Sequence, residues 1–343
     1  MKLTKFKNIL FSILLLFVSQ SIYSQSARID SLKKEITKST DDLQLIVLKN
    51  SLAYEFQQIN PDTALLLAKE ALVLSTKIND RKGQLNVLYT ISLIYRHQGQ
   101  RDSIQNYLQE AKRLAVELED KFLLSKILND YGTSFNGVTE KDSALHYFNT
   151  ALQISKENGF LDQQFDILND IGKNYKYNAD YNQAENYFLQ ALDLQKEIGN
   201  KNYQAGILQN LGNNAGDAND LDKAIKYYEE ALDLMETLQN NEGKAMILSL
   251  IAYHYMQKGY FPLSLEYYQK SLKFFEKLEY NGVIIQDLRG IGVVYEAMEN
   301  YPKAMTYYQQ ILKIEEAGGK GGQTDIFNDI GRNYFLRAEY DML

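Results

Sequence analysis

Apolar and polar positions alternate along this chain with a helical period, and the helical segments themselves recur. Around Gly172 the apolar residues Leu168, Ile171 and Tyr175 fall at −4, −1 and +3. Further on, Ala184, Tyr187, Phe188 and Ala191 fall at i, i+3, i+4 and i+7. Both spacings gather apolar side chains on one face of an α-helix. The stretch therefore predicts two one-faced helices joined by a short polar link. Close relatives of the first pattern run Leu128 to Gly132, Leu208 to Gly212, Leu288 to Gly292 and Phe327 to Gly331.

The recurrence is regular enough to fix the architecture. The small residue of the first helix steps through Ala53, Ser92, Gly132, Gly172, Gly212, Ala252, Gly292 and Gly331, always 39 or 40 residues apart. A landmark in the second helix steps by 40 through Ala64, Ile104, Ala144, Ala184, Ala224, Ser264 and Ala304, and Ala71, Ala111, Ala151, Ala191, Ala231, Ser271 and Ile311 follow seven residues later. Between the two lie aromatic pairs, as in Tyr147-Phe148, Tyr187-Phe188, Tyr227-Tyr228, Tyr267-Tyr268 and Tyr307-Tyr308. Small residues let paired helices approach while the rings fill the space around them. Pro61, Pro262 and Pro302 fall at the opening turn of a second helix, where a missing N–H costs nothing. Polar, glycine-containing stretches such as Asn79 to Gly83 and Asn240 to Gly243 read as links. With 343 residues the chain exceeds one ordinary core, but a repeat array buries each unit only against its neighbours. The reading is all-α: an α-α solenoid of about eight forty-residue repeats over 41–343, the last incomplete because Leu343 falls as its second helix begins. An amphipathic helix within 25–40 (Ile29, Leu32, Ile36) covers the first repeat.

The N-terminus reads differently. Lys2, Lys5 and Lys7 precede a short apolar run from Ile9 to Val18, then a polar stretch ending in Ile22-Tyr23-Ser24. The run is far short of the ~20 residues that span a bilayer, so residues 1–24 are expected to be a secretory signal peptide and the protein to be exported to the periplasm or cell envelope. No later apolar run reaches spanning length, so no membrane span is expected after signal removal. Losing three lysines takes the formal charge from −7 to −10. An acidic chain without a basic stripe does not suit nucleic acid or an anionic membrane surface.

The pattern Leu168, Ile171-Gly172, Tyr175, Ala184, Phe188, Ala191 resembles the tetratricopeptide repeat over about residues 41–343. Its length is similar to the long-helix variant of G-protein-signalling modulators, kinesin light chains and quorum-peptide receptors. Together with a signal peptide it resembles the sensory region of bacterial envelope signalling proteins. The resemblance implies a superhelix whose first helices line a concave, peptide-binding groove. The basic clamp with which chaperone-binding members hold C-terminal carboxylates is not reproduced, because its Lys position carries Asn129, Asn169 and Gln209.

Candidate chemistry follows from that geometry. Positions −3 and +1 of each first helix are i, i+4 neighbours and share a face. The −3 stripe includes Asn129, Asn169, Gln209, Ser249, Arg289 and Asn328, and the +1 stripe Thr133, Lys173, Asn213, Tyr253, Val293 and Arg332. Carboxamides donate and accept together, so an Asn/Gln ladder suits the backbone of an extended peptide, with Lys173, Arg289 and Arg332 available to acidic side chains. Ala215-Gly216 replaces the aromatic residue found at +3 in other repeats and marks a short helix end or a hinge. His97, His146 and His254 lack metal-ligand spacing, there is no Cys, and Gly318 to Thr324 has the wrong spacing for a phosphate loop. The expected function is therefore binding of a protein or peptide, without cofactor, metal or catalytic site. The alternatives are the sensory half of a histidine kinase, nucleotide cyclase or transcription regulator whose output domain lies beyond the C-terminus, and a scaffold working by self-association.

Overall fold

The computed structural model describes residues 26–135, 140–275, 281–318 and 323–340; the expected signal peptide and residues 341–343 lie outside them. All regular structure among the described residues is helical. A first helix, α1 (26–38), buries Ile29 and half-buries Leu32 and Ile36, and Arg28 pairs with Glu55 of the next helix. Helix pairs follow: α2 (Asp42–Phe56) with α3 (Pro61–Lys77), α4 (Arg81–His97) with α5 (Arg101–Glu117), and α6 (Lys121–Ser134) with α7 (Lys141–Glu157). Then come α8 (Leu161–Tyr177), α9 (Tyr181–Ile198), α10 (Lys201–Asp217), α11 (Leu221–Thr237), α12 (Asn241–Gln257), α13 (Phe261–Phe275), α14 (Asn281–Ala297), α15 (Tyr301–Gly318) and α16 (Gln323–Tyr340). Even-numbered helices carry the first-helix pattern and odd-numbered ones from α3 the second. The chain divides into two compact units, the first ending at Ile167 and the second beginning at Leu168, within α8.

The links are shorter than the sequence suggests. Gly83 and Gly243 are not link residues: each sits in the first turn of its helix and donates its N–H to the side chain of Asp80 or Asn240. The turns themselves follow a twenty-residue beat. Left-handed backbone occurs at Asn79, Gly99, Glu119, Gly159, Ala179, Gly199, Asn219, Gln239, Gly259 and Glu299. The next residue turns its N–H back onto a carbonyl five residues earlier, as in Asp80 to Ser75 at 2.8 Å and Asp220 to Ala215 at 2.9 Å. That closes the preceding helix with a Schellman-type bond. The same residue then caps the next helix: the side chains of Asp80, Asp120, Asp180, Asn200, Asp220, Asn240 and Asn300 accept an N–H three residues on. Pro61 stands at N1 of α3, and Pro262 and Pro302 are the second residues of α13 and α15.

Within a repeat the helices are held by a ring seated on a small residue. A Cβ placed on Gly132 would lie 2.6 Å from the Phe148 ring, one on Gly172 2.6 Å from Phe188, one on Gly212 2.5 Å from Tyr228 and one on Gly292 2.4 Å from Tyr308. All four rings are fully buried. Where the first helix carries a larger residue, the ring position shrinks: Ala53 goes with Ala68 and Ser92 with Leu108, all buried. The pair Ala252 and Tyr268 departs from this, and there Gly290 of the next first helix receives the ring, 2.4 Å from where its Cβ would stand. Beside several of these positions a second contact recurs. Tyr95 stacks on Tyr107, Tyr175 on Tyr187, Tyr255 on Tyr267 and Tyr295 on Tyr307, with centroids 5.4 to 5.6 Å apart.

At Ala215-Gly216 the helix neither ends early nor breaks; α10 runs to Asp217 like its neighbours. The space left by the missing ring is taken by His254 of α12, whose Nε2 would lie 2.4 Å from a Cβ on Gly216. Its Nδ1 donates to the Leu250 carbonyl at 2.8 Å, and burial lowers its pKa, so the ring packs as a neutral group. One carboxyl is buried as well. Asp287 of α14 is 1% exposed and accepts from Ser249 at 2.7 Å, while burial pushes its pKa up to about 6 against hydrogen bonds from Ser271 and Ser249.

Stability outcomes are expected at three sites. Gly172→Ala should destabilise by ~1–3 kcal/mol, although Ala is the better helix former by about 1 kcal/mol, because its Cβ meets the Phe188 ring. In a denaturation double-mutant cycle, Gly172→Ala with Phe188→Leu should lose less than the sum of the single variants. Ala179→Gly removes a Cβ from left-handed backbone and should stabilise by roughly 1 kcal/mol, read as slower amide exchange at the α8–α9 turn. Because the folded pKa of Asp287 lies above its unfolded value, the folded state holds the proton more tightly. Stability from this group is full below pH ~4 and is lost as pH rises through about 6. Asp287→Asn should flatten that part of the melting-temperature profile and raise the melting temperature at pH 7.

Candidate peptide-binding face

The eight candidate residues sit on first helices, but their side chains are in different states. In the first unit Asn129 of α6 is buried, 9% exposed. In the second unit the −3 and −2 positions of consecutive first helices meet. Asn210 Nδ2 donates to Asn169 Oδ1 at 2.9 Å, joining α10 to α8. Arg289 pairs with Asp329 at 2.8 Å, joining α14 to α16. Arg332 pairs with Glu296 at 3.1 Å and with Asp329 at 3.0 Å, while Asn333 donates to Glu296 from α16. The −3 stripe is thus in part a lateral stitch between first helices. Sequence spacing alone missed this because the partners lie about forty residues away.

What remains on α8 and α10 is a group of donors. The Asn213 Oδ1 accepts the Tyr228 hydroxyl at 2.7 Å, as the Asn169 Oδ1 accepts Asn210, so each carboxamide keeps its amino group to offer. Gln209 is half-buried on α10. The Lys173 side chain is 54% exposed, beside Asp170 at 3.1 Å. Asn328 on α16 is exposed. Tyr228, whose hydroxyl fixes Asn213, is held protonated by burial, so that hydrogen bond persists well above neutral pH. Chemically, the α8–α10 face can donate hydrogen bonds to carbonyl or carboxylate oxygens from Asn169 and Asn213, with one cation at its edge.

No group of three His, Cys, Asp or Glu among the described residues is placed to hold a metal. Among them, too, no helix is long and apolar enough to cross a membrane.

Comparison with known proteins places this geometry. Residues 163–237 and 243–317 match the tetratricopeptide repeat model. None of the curated protein sequences compared with the chain matches it. Among solved structures it is similar to a signal-transduction ATPase with numerous domains and a tetratricopeptide repeat sensor from Pyrococcus horikoshii, at 16% identity and a TM-score of 0.66 over 92% of this chain. This chain spans about half of that protein, 48% of its length. It is also similar to the apo quorum sensor NprR from B. thuringiensis (17% identity, TM-score 0.62, 87% of this chain and 84% of that one). A Rap protein complexed with competence and sporulation factor matches at 17% identity and TM-score 0.56, over 84% of this chain and 79% of that one. Paired helices, a ring seated on a small residue, and the direct match over both stretches agree: residues 163–237 and 243–317 are tetratricopeptide repeats, and the described residues fold as an all-α helical-repeat solenoid.

Proposed function

We propose that this protein is an exported binding scaffold that holds an extended peptide or protein segment on the first-helix face of α8 and α10. The observation that carries this reading is the state of Asn169 and Asn213. Both oxygens are occupied by neighbours, so both amino groups are fixed as donors on adjacent first helices. A pre-set donor loses little side-chain freedom on binding, which is how a shallow polar face gains affinity. Gln209 and Lys173 extend the face, and Asn328, Arg289 and Arg332 continue the same stripes on α14 and α16. Arg289 and Arg332 act there mainly through the helix-to-helix ion pairs they already make. Asn129, in the first unit, holds the same −3 register on α6 and is buried there. The likeness to a quorum sensor and to a Rap protein complexed with competence and sporulation factor supports a binding role. Binding, rather than catalysis, is the role assigned.

A second reading has one observation in its favour. The ATPase from P. horikoshii uses tetratricopeptide repeats as its sensor, and these repeats would serve likewise as the sensory part of a larger signalling protein. Reading the gene downstream for an output domain separates the two.

Binding is tested by fluorescence anisotropy against a panel of unstructured five- to eight-residue peptides, each with a free or an amidated C-terminus. Asn169→Ala with Asn213→Ala should weaken the best binder by roughly tenfold, about 0.5–1.5 kcal/mol for each lost hydrogen bond, without changing helicity. Unchanged affinity in the double variant removes the assignment. Export is tested by N-terminal sequencing of the protein from an envelope fraction, with Gln25 the expected first residue.

A further inference from the structure

Glycine weakens the interior of a helix, so each one found there calls for a reason. Among the described residues of α6 to α14, Gly132, Gly172, Gly212, Gly216, Gly290 and Gly292 have one. A Cβ on any of them would lie 2.4 to 2.6 Å from an atom of a Phe, Tyr or His ring. Gly206 differs. It lies in the second turn of α10 in ordinary helical backbone, it is exposed, and a Cβ on it would meet nothing within 4 Å. At the same place, six residues before the small residue, the other first helices from α2 to α14 carry Val47, Asn86, Lys126, Asp166, Met246 and Gln286. Gly206 is thus a bare patch at a position that elsewhere bears a side chain, and neither packing nor turn geometry accounts for it.

The surroundings of Gly206 define what would cover it. Gly206 and Asn213 are seven residues apart on α10 and so lie on one line of its surface. That line is about 10 Å long, which an extended chain spans in roughly three residues. Tyr203, 49% exposed, stands seven residues before Asn210, the residue that reaches α8, and so flanks the patch on that side. Met246, 45% exposed, holds the register of Gly206 on α12, whose His254 packs on Gly216 of α10. A phenol ring and a thioether therefore stand on either side of bare backbone. The exposed cation Lys173 shares the register of Asn213 rather than that of Gly206. A thioether adapts its shape to a ring and attracts it, and rings pair with rings, so the site suits an apolar side chain better than a charged one.

We infer that the ligand lays a large apolar side chain, aromatic for preference, on Gly206 between Tyr203 and Met246, about three residues along its chain from the carbonyl that Asn213 holds. The inference rests on the assignment of the α8–α10 face as the binding surface. Inside the repeats the same contact is made by Phe188 on Gly172; on Gly206 the ring comes from the ligand. Asn169 and Asn213 then hold a peptide main chain of any sequence, and Gly206 selects among sequences.

Fluorescence anisotropy with end-labelled, amidated heptapeptides of Ser and Gly, carrying Phe, Leu, Ser or Asp at the central position, tests the inference. The Phe peptide should bind wild type roughly tenfold more tightly than the Ser peptide, with Leu between them and Asp no better than Ser. Gly206→Gln installs the side chain that α14 carries at this register. It should abolish the preference for Phe while raising the melting temperature, because glycine leaves an exposed helix interior. Asn169→Ala with Asn213→Ala should weaken the Phe and Ser peptides alike and keep their ratio, so loss of the donors and loss of the selecting site read differently. Wild type that binds the Phe and Ser peptides equally, a Gly206→Gln chain that keeps the preference, or one that melts below wild type overturns the inference and leaves the donor face standing. If none of the four peptides binds up to the solubility limit of the chain, both readings fall.

Discussion

The seating of an aromatic ring on a residue without a side chain sets the distance between paired helices, and most of the rest follows from it. Glycine in mid-helix costs about 1 kcal/mol against alanine. Phe188 and its counterparts recover more than that, since burying a large apolar side chain stabilises by roughly 1.5–3 kcal/mol. Gly172, Gly212 and Gly292 are therefore places where local helix propensity yields to packing. The exchange is coupled: Ser92 and Ala53 tolerate a Cβ because Leu108 and Ala68 stand where the ring would be. Where the coupling shifts, as at Ala252, the ring of Tyr268 finds Gly290 one helix further on.

Once helix spacing is fixed, polar chemistry is left with lateral work. First helices are joined by Asn169 with Asn210, Arg289 with Asp329 and Arg332 with Glu296. Those bonds order the side chains that a ligand would meet. They also occupy half of each carboxamide, which turns a nominally ambivalent Asn ladder into a face of donors. Stability and the proposed recognition thus draw on the same residues. The buried Asp287, hydrogen-bonded to Ser249, is a cost borne inside this lateral network.

The forty-residue period, the helix pairs and the core positions were legible because each rests on side-chain type at fixed spacing. Ala184, Phe188 and Ala191 announce a buried face wherever they recur. The turns were harder. Among the described left-handed positions only Gly99, Gly159, Gly199 and Gly259 are glycine, while Glu119, Ala179, Gln239 and Glu299 adopt that backbone under tertiary constraint. Reading Gly83 as a link residue followed from the same gap, since its role is to let Asp80 fold back over the first turn of α4. The expected helix end at Ala215-Gly216 failed for another reason. The filler, His254, comes from a helix forty residues away that the local pattern does not contain. For the candidate face, the sequence gives helix and stripe; which oxygen is already taken depends on partners such as Asn210 and Tyr228.

The beat of left-handed turns, one every twenty residues, constrains how such a chain can change length. Inserting or deleting forty residues at a turn sets a first helix against a second helix again. A change of twenty would place two helices of the same role side by side, small residue against small residue, and a change of any other size would also put the caps out of step. Growth and loss in this architecture are quantised: the backbone turns set a step of twenty, and the alternation of small residues and rings doubles it to forty.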